Sequence, residues 1–546
     1  MGPVEHLHEA VRESAAALVG GDRALAAAVK LERPPRAELG DYSTNAALLL
    51  APRLESSPRE VAVRLGAALE ARLGGALERT DVAGPGFLNM FVSDRWLTDA
   101  LGGVIAAGAR FGAVEPADSG ASEAGESINL EFVSANPTGP VHIGHARGAA
   151  YGDTLARLLS FRGFDVTREF YVNDYGSQVR KLGESVRALA LGEPVPEDGY
   201  HGDYVATLVA AERARTLDID ELSREALAAC LAQIRVSLER FGVSFDVWFS
   251  ERSLHDGGAV EASLARLADL GETYSQEGAL WLRTTARGDD RDRVLIRSDG
   301  QPTYFCSDIA YLENKRSRGF DRLVYVWGSD HHGYEPRMKA AWEALGGNRD
   351  AVDLIAFQFV HLVGGGGART AMSKREGEYV TLDELVERVG VDAARWFLLA
   401  RSHDTPVELD VELATRQSSD NPVYYVQYAH ARIASMLAKL EPGRAERALG
   451  ALVAVEPLHP SERTLLKRLL AFPNDLAEAV ERRAAHRVAA SALEIAQEFT
   501  AFYRDCRVVG AEPYETESLR IAIARAAQQT IATALRLLGV SAPEAM

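Results

Sequence analysis

Glu131-Phe132-Val133-Ser134-Ala135-Asn136-Pro137-Thr138-Gly139-Pro140-Val141-His142-Ile143-Gly144-His145-Ala146-Arg147-Gly148 decides the architecture of this chain. Just upstream, Ile128, Leu130 and Phe132 alternate with polar residues, which predicts a strand from Glu126 to Val133. From Gly148 to Leu159 the apolar spacing turns helical. The run therefore sits where a strand hands over to a helix. In a doubly wound α/β sheet, phosphates meet backbone N–H groups and the positive helix end at that place. His142 and His145, one turn apart, are placed to face the same phosphate, and Gly144 removes a side chain where a base or ribose comes close.

A second stretch points the same way. Gly364 to Gly367 is a glycine run, and Ala368-Arg369-Thr370-Ala371-Met372-Ser373-Lys374-Arg375-Glu376-Gly377 follows it. A Gly-rich loop carrying an ammonium is suited to close over phosphates as their charge builds in a transition state. Each stretch alone is weak evidence: H-x-G-H occurs by chance near turns, and Met-Ser-Lys-Arg reads equally as a solvated basic loop. Together and in this order they resemble the HIGH and KMSKS motifs of class I aminoacyl-tRNA synthetases. One position departs from that pattern: Ala371 stands where the first lysine is usual, while the second is present as Lys374. The resemblance implies catalytic roles for His142, His145 and Lys374. It implies ATP contacts from Pro137, Gly139, His142, Gly144, His145, Met372, Ser373 and Lys374.

Composition bounds what else the chain does. Its 546 residues predict three or four domains with ample core. Cys230, Cys306 and Cys506 lie far apart and form no C-x-x-C pair, which argues against a zinc knuckle or a disulfide framework. The start Met1-Gly-Pro-Val-Glu-His has no basic and apolar leader, and no stretch reaches the length of a membrane span. A cytoplasmic protein is expected. The net charge of −18 argues against indiscriminate nucleic-acid binding. Residues 421–546 nevertheless carry 15 basic and 14 acidic side chains, so they repel a polyanion least.

Along the chain, helical patterns at His8–Leu18 and Pro58–Leu73 are interspersed with turn-rich pieces. The small, polar stretch 117–125 reads as a linker. From Val179 to Arg240 the pattern is largely helical, and strand-like pieces return at 293–297, 322–327 and 355–360. Beyond Thr381 nearly everything is helical, and Leu519–Leu538 is one long helix with Gly539 as its stop. The expected architecture is a multidomain α/β plus α chain. A small α+β domain spans 1–112. A Rossmann-like catalytic domain with a parallel sheet spans 113–395, with a helical insertion around 180–290. An all-α bundle spans 396–546.

The resemblance sharpens outside the two motifs, and nearly the whole chain is similar to the bacterial arginyl-tRNA synthetase family. Tyr171-Val-Asn-Asp-Tyr-Gly-Ser-Gln178, Tyr200-His-Gly-Asp-Tyr204, Phe245-Asp-Val-Trp248 and Gly328-Ser-Asp-His-His-Gly333 match that family's phrases. So do Asp308-Ile-Ala-Tyr311 and Asn421-Pro-Val-Tyr-Tyr-Val-Gln-Tyr-Ala-His-Ala-Arg432. The resemblance implies attachment of L-arginine to tRNA(Arg) through an arginyl-adenylate. ATP with Mg²⁺ would be substrate, with no prosthetic group and no protein-bound metal. It implies an arginine pocket from Ser134, Asn136, Glu251, Tyr304, Asp308 and His331, with Ser134 and Asn136 toward the α-amino and carboxylate end. It places tRNA contacts at Asn45, Asn421, Tyr424, Tyr425, Gln427 and Tyr428, and suggests a monomer.

Chemistry supports the amino acid independently, because a guanidinium's planar fork of donors wants carboxylates. A single Asp at position 308 also reads as a helix N-cap for Ile309 onwards. The stretch 180–290 looks too short for an editing domain, which a carboxylate-lined pocket does not need. A lysyl- or glutamyl-type enzyme, or an RNA-binding protein with a decayed synthetase site, are the competing readings.

Overall fold

The computed structural model describes residues 2–22, 28–34, 36–114, 125–364, 380–450 and 452–546. The second motif, with Met372, Ser373 and Lys374, lies outside them, as does most of the predicted linker.

A five-stranded, all-parallel sheet organises the middle of the chain. Its order is Val352–Phe357, Arg322–Gly328, Ser127–Phe132, Asp165–Val172, Val247–Ser250. The first strand in sequence is thus the central one. The chain builds outward on one side of it and then returns to build on the other. The topological switch point lies beside Ser127–Phe132, and ligands of such sheets bind off the carboxyl ends there. Ile128 to Phe132 are all buried, because both faces of a parallel sheet are covered. The alternation in the sequence suggested a solvent face. Instead Asn129 and Glu131 are polar groups locked inside the domain.

The helix Ile143–Phe161 follows the central strand, as its apolar spacing predicts. The insertion departs from expectation. Ser177–Leu191 and Ile219–Arg240 are helices, but Val247–Ser250 is an edge strand of the main sheet. Thr273–Gln276, Ala279–Leu282 and Arg293–Ile296 make a separate antiparallel sheet. Arg293–Ile296 matches the strand read at 293–297, while the other two runs are too short for a periodic signal. The piece read as one strand at 355–360 is two: Val352–Phe357 in the main sheet and Val360–Val363, which pairs with Val407–Asp410. The latter pairing interrupts the otherwise helical C-terminal region.

The N-terminal region carries a four-stranded antiparallel sheet. It packs helices Pro3–Leu18, Pro58–Leu73 and Asp94–Ala107. Pro58–Leu73 starts and stops as read: Ser57 and Glu60 form a capping box, with Pro58 in the first helical position. At the C-terminus, Pro422–Leu437, Pro460–Glu481, His486–Asp505 and Tyr514–Leu538 form a bundle. Gly539 ends the last helix at φ +68°, a conformation glycine adopts without strain.

Two buried ionic junctions tie these parts together. Arg395, fully buried, donates to Asp153 Oδ2 (2.6 Å) on the helix Ile143–Phe161 and to the carbonyls of Leu538 (2.8 Å) and Phe241 (3.2 Å). A side chain at Gly539 would collide with that guanidinium. Asp41 of the N-terminal region accepts from both Arg463 and Lys467 of the bundle at 2.8 Å.

Candidate active site

The histidine motif is shaped by the helix it opens. His142 is the N-cap of Ile143–Phe161, and its Nδ1 accepts from the Gly144 N–H at 3.1 Å. The proton of the neutral ring is therefore on Nε2. A Cβ at Gly144 would lie 2.9 Å from the His142 ring, so that glycine admits the histidine's own return over the helix end. The rings of His142 and His145 stack at 3.8 Å between centroids. Burial lowers the pKa of both. His145 falls to about 3 through burial and the neighbouring His142. Two neutral imidazoles thus meet the positive end of the helix.

The loop before the helix is fixed from the insertion. Tyr204 donates to the Thr138 carbonyl at 2.7 Å, and its hydroxyl would lie 3.3 Å from a Cβ at Gly139. Pro137 is buried and Asn136 exposed. Arg147, buried, donates to the carbonyls of Gln358 (2.6 Å) and Ser402 (2.8 Å). Where the chain becomes described again after Tyr379, it joins this corner. Ile143 N–H donates to the Val380 carbonyl (3.0 Å), and Leu382 N–H to the Val141 carbonyl (2.7 Å). The end of the segment that carries the second motif is thereby stitched to the first.

At the carboxyl end of the sheet, three acidic side chains converge. Glu131 comes from the central strand, Glu251 from just after the edge strand, and Asp308 from the helix Tyr304–Ser317. Asp308 is pushed up to about 7 by burial, with the Glu251 and Glu131 charges adding. The Tyr334 hydroxyl, which donates to it at 3.1 Å, and Arg337 oppose that shift. Glu251 is raised by burial and by Asp174, against the Tyr171 and Ser307 hydroxyls. Tyr171 itself is raised by burial and by the charges of Glu251, Asp308 and Glu131, and it is hydrogen-bonded to Glu251. Among the described residues, neither Glu251 nor Asp308 forms an ion pair with a lysine or arginine. Glu131 has its own cation in Lys315, at 2.7 Å. Glu251 and Asp308, gathered near it without such an ion pair, carry a cost that a ligand cation relieves.

Other predicted residues fall around this centre. Ser134 accepts from the Tyr171 N–H and donates to Glu131 Oε1, both at 3.1 Å. Asn173, turned with its amide nitrogen toward Glu251 Oε2 (3.0 Å), sits behind Asn136. Tyr304 opens the helix that carries Asp308, yet its ring is 79% exposed at the rim. Asp308 is no N-cap: that helix starts at Tyr304 with Thr303 as its cap. His331 lies in the 3₁₀ turn Ser329–Tyr334, and its side chain is outside the described ones. Glu131, Tyr171 and Tyr334 were not singled out as pocket residues. Two polar side chains, Asn129 and Glu131, on a strand flanked by apolar residues were the available signal for the first.

The residues read as RNA contacts lie apart. Tyr424 and Tyr428 stack at 6.1 Å on the helix Pro422–Leu437, and Arg432 covers Tyr428 and Tyr503. With Tyr425, whose hydroxyl donates to Thr500 (2.9 Å), they line a cavity of about 390 Å³. Asn421 and Gln427 are buried and committed elsewhere. The Asn421 amide donates to the Ala414 and Arg416 carbonyls at 3.0 Å, and Gln427 to Asp392 at 2.8 Å. Asn45 Oδ1 accepts from the Lys30 N–H at 3.1 Å. Among the described residues, no helix is long and apolar enough to cross a membrane, and no cluster of three metal-ligating side chains occurs.

Comparison with known proteins fits this division. Residues 117–187 and 210–416 match the catalytic domain of class I (R) tRNA synthetases. Residues 5–92 match the arginyl-tRNA synthetase N-terminal domain, and 426–546 the DALR anticodon-binding domain. The arginine–tRNA ligase of Bacillus velezensis is 42% identical across 100% of both chains. That of Frankia alni is 46% identical across 95% of each. The Thermus thermophilus arginyl-tRNA synthetase structure shares the fold, with a TM-score of 0.79 at 23% identity, covering 99% of this chain and 100% of that one. The chain belongs to the arginyl-tRNA synthetase family, class I enzymes that attach arginine to tRNA for translation.

Proposed function

We propose that the enzyme joins arginine to ATP as an arginyl-adenylate and then passes the arginyl group to the terminal ribose of tRNA(Arg). The observation that carries the substrate assignment is the convergence of Glu251 and Asp308, neither of them ion-paired to a lysine or arginine among the described residues, at the carboxyl end of the sheet. Glu251 and Asp308 take the guanidinium, with Tyr171 and Tyr334 orienting them and Tyr304 and His331 at the edge. Ser134 and Asn136 take the amino-acid end.

ATP lies along Pro137, Gly139 and Gly144. His142 Nε2–H and His145 donate to its phosphates as the carboxylate attacks the α-phosphorus. Neutral rings suit that role, because they donate without holding the pyrophosphate as an ion pair. Mg²⁺ enters with ATP as its counter-ion. Lys374, with Met372 and Ser373, supplies positive charge on the pyrophosphate side. Lys374 stands six positions before Val380 in the sequence, and a chain of that length spans at most roughly 20 Å, which keeps the lysine within reach of the histidine motif.

On the tRNA side, Tyr424, Tyr425 and Tyr428 offer faces on which a splayed base stacks. Asn421 and Gln427 hold their helix in place, and Asn45 belongs to the N-terminal contact. The enzyme works as a cytoplasmic monomer.

Amino-acid-dependent ATP–pyrophosphate exchange with all twenty amino acids, with and without tRNA, tests this reading. Exchange with arginine alone is expected. Exchange with lysine or glutamate would discard the pocket, and none with any amino acid would leave the RNA-binding reading.

A further inference from the structure

Beneath the pocket lies a cation that the reaction scheme does not use. Lys315, two turns after Asp308 on the same helix, is fully buried. Its Nζ sits 2.7 Å from Glu131 Oε2 and over the rings of Tyr311 (4.3 Å) and Tyr325 (4.1 Å). The other Glu131 oxygen accepts from the Ser134 hydroxyl at 3.1 Å, and that hydroxyl accepts from the Tyr171 N–H at 3.1 Å.

A serine hydroxyl has one proton and two lone pairs. At Ser134 the proton is spent on Glu131 and one lone pair on Tyr171, so what remains is an acceptor. The backbone there is strained, with Val133 at φ +68° and Ser134 at φ +39°, closed by the Ser134 N–H to Phe132 carbonyl bond of 2.9 Å. Positive φ at a β-branched residue persists only when surroundings over-determine it.

We propose that Lys315 is a positioning residue: by holding Glu131 it fixes the Ser134 hydroxyl as an acceptor for the α-ammonium of the amino-acid substrate. This rests on the reading that Ser134 meets the α-amino end. A free hydroxyl proton would serve a carboxylate equally well. The relay removes that choice, so the pocket reads the ammonium as well as the guanidinium.

The test compares arginine with 5-guanidinopentanoate, which is arginine without its α-amino group, by calorimetric binding to the full-length enzyme. In Lys315→Met, arginine affinity is expected to fall about tenfold, the size of one charge-assisted hydrogen bond. The affinity for 5-guanidinopentanoate should stay within about twofold, because its guanidinium contacts are untouched. Ser134→Ala should behave likewise. The neutral pair Lys315→Met/Glu131→Gln removes both buried charges, so it keeps the question answerable if the single variant does not fold. It should match Glu131→Gln alone. Equal loss for both ligands in Lys315→Met, or a double variant much weaker for arginine than Glu131→Gln, overturns the proposal. If Ser134→Ala leaves the arginine preference intact, the Ser134 reading fails and the relay falls with it.

Discussion

Two layers of buried carboxylate sit a few residues apart in this enzyme and behave in opposite ways. In the lower layer every charge is matched. Glu169 accepts from Arg318 through both oxygens (2.6 and 2.9 Å), from Tyr311 (2.5 Å) and from Asn129 (2.9 Å), and Glu131 is held by Lys315. Burial alone would raise Glu169, but Arg318, Lys315 and Tyr311 bring it below its ordinary value. In the upper layer Glu251 is bonded by Tyr171 and Asp308 by Tyr334, and both are raised, by burial and by neighbouring carboxylates. The lower layer spends its charge on the fold. On the proposed reading the upper layer keeps its charge for the substrate, at a cost in stability that the arriving guanidinium relieves.

That contrast predicts where substitutions are felt. Glu169→Gln strands the Arg318 guanidinium and should lower unfolding stability by about 3–5 kcal/mol, while changing arginine affinity little. Thermal unfolding and arginine titration on the same preparation check both halves. Asp308→Asn should do the reverse. Arginine binding weakens by about 2–5 kcal/mol, the range for stripping one partner from a buried charge pair, and stability holds or improves. If Asp308→Asn proved as destabilising as Glu169→Gln, the two layers would not differ in kind.

The pH response sharpens the same point. Burial and the neighbouring carboxylates push Asp308 up to about 7 in the folded chain, above its unfolded value. Its contribution to stability is therefore greatest when it is protonated and declines as pH rises from about 4 through 7. A bound guanidinium pulls that pKa down, so arginine affinity is full above pH 7 and falls as pH drops through it. The loss between pH 8 and pH 6 should be roughly tenfold, about 1.4 kcal/mol. A flat arginine affinity over that range would place the ionised carboxylates elsewhere.

The tyrosine cluster provides the contrast outside the catalytic domain, since its proposed contact with tRNA is stacking at the surface. Tyr428→Ala should raise the KM for tRNA by about 1 kcal/mol, the low end for a lost base stack, and leave arginine affinity unchanged. Equal effects on both would mean that the helix Pro422–Leu437 had shifted instead.

The parts of this account legible in the sequence are those with local causes. The helix Pro58–Leu73 carries its own cap, Tyr514–Leu538 its own glycine stop, and the histidine motif its strand and helix flanks. The family phrases carried the assignment further than periodicity could. What was not legible depends on distant partners. The strand Arg293–Ile296 is legible, but its sheet partners Thr273–Gln276 and Ala279–Leu282 are four-residue strands with no period to read. Glu131 looked like the polar face of a half-exposed strand until Lys315, 184 positions away, covered it. Asn421 and Gln427 share the tyrosines' segment, and only their buried partners, Ala414, Arg416 and Asp392, tell them apart.

The central claim is that Glu251 and Asp308 hold charge in reserve for arginine. Calorimetric titration of the enzyme with arginine at pH 7, in two buffers of different ionisation enthalpy, measures it directly. Release of about half a proton per arginine bound is expected, because Asp308 is near its midpoint there and the guanidinium drives it to ionise. Binding with no proton release would contradict the account.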